Sequence, residues 1–461
     1  DIDWAIAQAR RRSTAPDRTV YDFLHRVLTA DAATGAGRSY ARRELSRFAM
    51  RFQQYTGPAM AKGLEDTAFY RFNRLLSLNE VGGDPRRFGV TPAAFHHLMK
   101  ERSTRWSRTM LATATHDTKR GEDVRARLNL LSELTDPWRD HVRRWARLNR
   151  RRKTFIDGAP APDANDEYHL YQVLLGSWPL ELSWPDPLDA GALDDYRARM
   201  CGYAIKALRE AKEATSWANP DEAYERAMTD FVGRILDASR RNLFLDDFRP
   251  FATRLAALGM VNGLAQKAVT LAAPGVPDLY QGTELWDFSL VDPDNRRPVD
   301  YALRRRLLDS LPTIEGPRSA DAVRRLYDDW RSGAVKLHLV ARMLDLRRRQ
   351  ELLFKEGGYQ ALETAGTRAE ALFAFARSGE GQGTALILAV PRLVGSLWSD
   401  EPPPLGQPSW GDTAVVLPPE LARPGVNWLT GEAIRPVERG ASAVFTAPEL
   451  FATLPVAAIL L

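Results

Sequence analysis

The chain has 461 residues, enough for two or three domains, with 44% hydrophobic, 27% charged and 9% aromatic side chains. That balance excludes wholesale disorder. Apolar stretches such as 454–461 fall far short of the roughly 20 residues a membrane span needs, so no membrane role is expected. The net charge of +5 rests on 55 Arg but only 9 Lys, a skew typical of genomic base composition, which makes each Lys informative. The single cysteine, Cys201, excludes an internal disulfide and a cysteine zinc cluster. A small buried apolar role suits it, and a cytoplasmic, reducing compartment is expected.

The chain opens on Asp1, and the DIDWAIAQARRR that follows reads as the middle of something helical. A piece of a longer polypeptide is therefore expected. Residues 1–50 read as helices around a small-residue loop at 32–38, whose GAGRS lacks the G-K-[ST] ending of a phosphate-binding loop. The small, apolar runs 57–61 (GPAMA) and 109–115 (TMLATAT) read as buried parallel strands. Each precedes a polar cluster and then a helical pattern, which makes 51–121 two β/α units. Gly82-Gly83-Asp84-Pro85 marks a sharp loop between them.

From 122 to 250 the period is helical, broken at 157–164 and 184–187, and predicts a helical insertion. Its stretch 124–153 carries 10 basic against 3 acidic residues. With no accompanying nucleic-acid motif, a solvated face or an acidic partner is expected there, and no nucleic acid. In 251–356 the pattern predicts a helix at 251–266, a buried strand at 268–272 and a helix at 334–353. Beyond Gly357, short apolar runs (371–377, 384–392, 413–418, 442–446 and 455–461) between Gly and Pro turns predict an antiparallel β-sandwich over 357–461.

Three clusters place charged residues directly after an apolar run, where barrel active sites lie. One holds Lys62, Glu65, Asp66, Phe69 and Tyr70; a second His116, Asp117, Lys119 and Arg120; a third Tyr280, Glu284 and Trp286. Simpler roles compete: Asp66 and Asp117 as helix caps, His116 as a core histidine, Glu284 as the partner of an Arg. Two of nine lysines and a His-Asp pair at strand ends favour chemistry. No H-x-x-x-H or Cys cluster supports a metal, and no cofactor is expected. The run Asp292-Pro-Asp294-Asn295-Arg296-Arg297 has Arg297 where a calcium loop needs Gly. A G-x-S-x-G elbow is also lacking.

Three contiguous segments, ATHDTKRGEDVRAR (114–127), GPAMAKGLEDTAFYRFNRLLSLNEVGGDP (57–85) and PGVPDLYQGTELWDFSLVDPDNRRPVDY (274–301), resemble the maltooligosyl trehalose synthases, isomerases of the alpha-amylase family. The resemblance covers nearly the whole chain. It implies α/β plus all-β architecture, with the last three strands (six, seven and eight) of a (β/α)8 TIM barrel. It also implies conversion of the reducing-end α-1,4 bond of a maltooligosaccharide to an α,α-1,1 bond. Asp117 then matches the family's transition-state stabiliser. His116, Lys62, Glu65, Asp66, Phe69, Tyr70, Lys119, Arg120, Tyr280, Glu284 and Trp286 become candidates to hold the turning glucose. The family's nucleophilic Asp and acid/base Glu, which precede these strands, find no match upstream of residue 57. Their absence makes an N-terminal catalytic half the expected partner and leaves this chain alone without turnover. Alternatives are an alpha-glucan hydrolase or transglucosidase of the same clan, or a non-catalytic glucan-binding fragment.

Overall fold

The structure, a computed structural model, describes residues 2–31, 41–183, 188–316, 318–379, 383–398 and 403–461. The expected loop at 32–38 and the break at 184–187 lie outside these. The chain forms two compact units, Asp1–Tyr70 and Arg71–Leu461, each described by itself.

The N-terminal unit is helical: α1 (Ile2–Arg12), α2 (Thr19–Leu28) and α3 (Arg42–Met60), the last winding on as a π-helix over Ala61–Ala68 and a turn, α4 (Phe69–Arg71). His25 of α2 meets Asp3 of α1 at 2.5 Å, and Glu44 accepts the Ala41 N–H that opens α3 at 3.2 Å. The expected strand at 57–61 is therefore a helix. GPAMA contains no β-branched residue, and Ala and Met extend a helix already under way.

The larger unit begins with α5 (Pro92–Arg105), whose Thr91 hydroxyl caps the Ala94 N–H at 3.2 Å. Of the expected strand at 109–115, only β1 (Met110–Leu111) pairs. Next come α6 (Glu122–Asn129), α7 (Thr135–Asn149), a hairpin of β2 (Thr154–Ile156) and β3 (Ala159–Ala161), α8 (Ala164–Ser177), α9 (Ala190–Ala211) and α10 (Glu222–Ile235). Then α11 (Leu243–Ala272) runs for 30 residues through the expected boundary at 250 and over the expected strand at 268–272. Ala-rich 264–272 has few β-branched residues and continues the helix; pairing instead starts at β4 (Val276–Pro277).

By length and composition α11 could cross a membrane, yet most of its apolar face is buried within the protein. Phe244, Phe248 and Phe251 pack with Trp145 of α7 at ring distances of 5.4–6.3 Å, a core-helix arrangement. Most of the basic stretch is solvated as expected, with Arg139, Arg143, Arg144, Arg147, Arg150 and Arg151 exposed, and only a part of it is used internally. Buried Arg127 donates to the Trp178 carbonyl at 2.6 Å, and Lys153 pairs with Glu167 at 2.7 Å. Cys201 is half-buried rather than buried, and burial pushes its thiol up.

After α12 (Tyr301–Asp309), α13 (Ser319–Asp328), α14 (Ala334–Arg349) and α15 (Glu351–Lys355), the chain becomes all-β. The strands are β5 (Gly358–Ala361), β6 (Thr364–Ala365), β7 (Leu372–Ser378), β8 (Ala385–Pro391), β9 (Ala414–Leu417), β10 (Gly425–Asn427), β11 (Ala433–Ile434), β12 (Val437–Arg439), β13 (Ser442–Thr446) and β14 (Ala457–Leu460); β7, β8, β9, β13 and β14 fall on the expected runs, and the other five were not expected. They build two antiparallel sheets, ordered β11-β10-β14-β8-β7-β5 and β12-β13-β9-β6. Every residue of β8 is buried, as a central strand covered on both faces requires. Buried Arg377 of β7 joins this region to the helices, donating to the carbonyls of Ala272, Leu353, Phe354, Gly357 and Gly358 at 2.8–3.3 Å.

Asp166, in the first turn of α8, accepts the Tyr224 hydroxyl at 2.6 Å. Burial outweighs that bond and pushes its carboxyl up to about 6. Because the folded value lies above the unfolded one, the native state binds the extra proton. Stability is then full below pH 4 and declines as pH rises towards 6. Asp166→Asn, neutral at every pH, is expected to raise the melting temperature at pH 7.5 and not at pH 4. Equal effects at both, read by circular dichroism, would contradict this.

Candidate functional site

β1 and β4 run parallel with Met110 opposite Val276 and Leu111 opposite Pro277. Both chains leave their carboxyl ends on one edge, where ligands bind in parallel α/β architectures. Gly275 makes this pairing possible: its φ is +127°, and a Cβ there would lie 2.7 Å from the Thr109 carbonyl. The loops that follow, 112–121 and 278–300, carry the second and third sequence clusters.

The first loop presents His116 and Asp117 to solvent, with the Asp117 side chain 56% exposed. Threonines shape the turn. Thr115 Oγ1 accepts the Asp117 N–H at 3.1 Å, and Thr118 Oγ1–H donates to the Thr115 carbonyl at 2.8 Å. No helix starts at Thr118; α6 begins at Glu122 with Gly121 as its cap. Asp117 is therefore no helix cap, and exposed His116 is no core histidine. Asp66 is not a cap either, since it sits inside the π-helix. Lys119, buried, places Nζ 3.4 Å from Asp117 Oδ1. A fixed ammonium beside an outward-facing carboxylate gives a local anion with a defined direction.

Arg120 does not grip a ligand. Its guanidinium is 1% exposed and donates to the Leu76 and Asn79 carbonyls and the Tyr203 hydroxyl at 3.3–3.4 Å. The second loop locks against the first. Gly121 N–H donates to the Ser289 carbonyl at 2.7 Å, and a Cβ at Gly121 would meet Asp287 at 2.6 Å. Asn295 Nδ2–H reaches the His116 carbonyl at 3.0 Å, and Tyr280 O–H donates to the Asn295 carbonyl at 3.3 Å. Tyr280 thus supports the loop. Glu284 takes the simpler role: Arg304 Nε–H donates to it at 2.6 Å. Trp286 is anchored by its Nε1–H on the Trp330 carbonyl at 2.7 Å. It lines a polar cavity of about 600 Å³ with Tyr196, Arg199, Gln281 and Asn295.

Asp294 is occupied by Arg199, bonded through both oxygens at 2.8 Å, and by the Leu290 N–H at 2.7 Å. Among the described residues no group of three or more His, Cys, Asp or Glu is placed to share a metal. The first cluster lies in the N-terminal unit. There Lys62 pairs with Asp66 at 2.6 Å, and Glu65 shares the same π-helix. Phe69 and Tyr70 are buried, so neither offers an aromatic face to a sugar.

Beneath both loops lies a buried ionic cluster that the motif reading missed. Glu122 accepts Lys267 Nζ at 2.8 Å and Thr113 Oγ1 at 2.5 Å, and pairs with Lys336 at 2.7 Å. Asp123 accepts Lys336 Nζ and the Asp287 N–H, each at 2.7 Å. One carboxylate thereby holds the Asp117 loop and the other holds the Trp286 loop. Burial pushes Glu122 up, but the Lys336 and Lys267 ammoniums overcome it and hold its carboxyl at about 2. Burial raises Asp123 despite Lys336. The available signal was the scarcity of lysine, two of nine being committed here.

No family model matches the sequence. The chain is 38% identical over 408 residues, 88% of its length, to a curated Mycobacterium tuberculosis protein named maltooligosyl trehalose synthase. It superposes on the maltooligosyltrehalose synthase of Arthrobacter ramosus with a TM-score of 0.76, at 35% identity over 99% of this chain and 50% of that one. The structure of a Sulfolobus tokodaii protein described as a hypothetical maltooligosyl trehalose synthase gives 0.66 at 25% identity, covering 96% of this chain and 53% of that one. The chain spans about half the length of the relatives it matches.

Proposed function

Starting from a chain that is a relative of the maltooligosyl trehalose synthases and half their length, we propose that it supplies the C-terminal part of such an enzyme. The reaction moves a maltooligosaccharide's reducing-end glucose from an α-1,4 to an α,α-1,1 bond. The observation that carries this reading is Asp117, a solvent-facing carboxylate beyond the carboxyl end of β1, fixed by Lys119 and free of any capping duty.

Retaining glycosidases pass through an oxocarbenium-like state between a nucleophile and an acid/base. Asp117 stands as a third, fixed anion against that developing positive charge. His116 beside it donates to a sugar hydroxyl. The released glucose must turn and attack before water does, so the pocket must close. Trp286 and the neighbouring cavity offer it a wall.

The nucleophile and acid/base in this reading come from an N-terminal catalytic half of the same enzyme. In this reading β1 and β4 are strands seven and eight of a TIM barrel and the C-terminal sheets its β-sandwich. Their short parallel pair has open edges, which new strands complete. Met110 is 70% and Val276 47% exposed, apolar positions suited to such coverage. A cytoplasmic setting belongs to the same proposal on cysteine usage alone.

The chain mixed with the N-terminal half of a relative and given maltopentaose is expected to yield a trehalose-ended product, with loss of reducing ends and little free glucose. The chain alone is expected to give no turnover. Free reducing sugar as the main product would favour a hydrolase, and turnover by the chain alone would overturn the assignment.

A further inference from the structure

The turn that displays Asp117 is held at its exit by a residue distant in sequence. Glu80, 9% exposed, receives three backbone N–H groups on its carboxylate. Oε1 accepts from Lys119 at 2.8 Å and from Val81 at 2.9 Å, while Oε2 accepts from Arg120 at 3.2 Å. Arg125 Nε lies 3.8 Å from Oε2 and balances the charge. Glu80 is itself fixed: Gly83 N–H donates to its carbonyl at 2.7 Å, and a Cβ on Gly83 would approach that carbonyl to 2.8 Å.

Accepting on both oxygens requires a carboxylate, since an amide offers one acceptor and one donor. Its two anchors, Lys119 and Arg120, directly follow the displayed turn. The first also carries the ammonium 3.4 Å from Asp117. We propose that Glu80 is a positioning residue that sets the direction of the Asp117 carboxylate by clamping the backbone of Lys119 and Arg120. The inference rests on the catalytic reading of Asp117 and names the group through which that reading operates.

Glu80→Gln keeps size and shape but turns one acceptor into a donor facing an N–H. In the assembled enzyme it is expected to lower kcat about 10- to 10²-fold, the scale of a small misplacement of a reacting group. KM should stay within about twofold, because the contact is not made to substrate. Glu80→Asp, charged but shorter, should lose kcat similarly, and serves if the Gln variant melts below assay temperature. Combined with Asp117→Asn, Glu80→Gln should add no further loss, since both act through one carboxylate. A multiplicative loss in the double variant, or full kcat in both Glu80 variants while Asp117→Asn is impaired, overturns the inference. Full activity of Asp117→Asn would instead remove the functional reading beneath it.

Discussion

Asp117→Asn is expected to cut turnover of the assembled enzyme at least 10²-fold while leaving its melting temperature almost unchanged. The loss is the size expected when one preorganised contact to transition-state charge is removed. Asparagine has nearly the shape of aspartate, and the turn does not depend on the charge. Its bonds run from the Asp117 N–H to Thr115 and from Thr118 to the Thr115 carbonyl, none using the Asp117 side chain. The side chain is more than half exposed, so its desolvation cost is small and its ion pair with Lys119 adds little stability. A variant with near-normal turnover, or one losing stability in step with activity, would make Asp117 a structural residue. Initial rates on maltopentaose beside thermal melts decide between these.

The largest stability effect is expected from Lys336→Met, at about 3–5 kcal/mol, the usual cost of leaving buried charges without their partner. Lys336 is fully buried, 2.7 Å from both Glu122 and Asp123, and also donates to the Leu285 carbonyl at 3.0 Å. Methionine fills most of the space and removes the ammonium, leaving two carboxylates with Lys267 alone. Urea denaturation measures the change, and a loss under about 1 kcal/mol would show that the cluster relaxes or hydrates. The wild-type cluster also has an acid signature. Glu122 sits at about 2, below its ordinary value. Its contribution is thus present above pH 4.5 and lost as pH falls towards 2.

Local pattern determined much of the molecule. Half of the strands were legible because they are short apolar runs between Gly and Pro turns, so that β8, β9, β13 and β14 lie inside the expected runs and β7 passes the end of its own by one residue. The Asp117 loop was legible because polar and charged residues crowd behind an apolar run. Local pattern failed at 57–61 and 268–272, where small apolar residues suit a strand or a helix equally. There the helices already running upstream decided the outcome.

Tertiary structure alone decided what each charge does. Arg120 and Glu284 looked equivalent to Lys119 and Asp117 in sequence, yet Arg120 is buried on backbone carbonyls and Glu284 is spent on Arg304. Glu80, Lys267 and Lys336 stand 39, 145 and 213 residues from the partners that give them meaning. Periodicity reports which side of an element is buried, over a few residues. It carries no record of which distant charge will share that burial, and in a low-dielectric interior that partner sets whether a side chain supports the fold or faces a ligand.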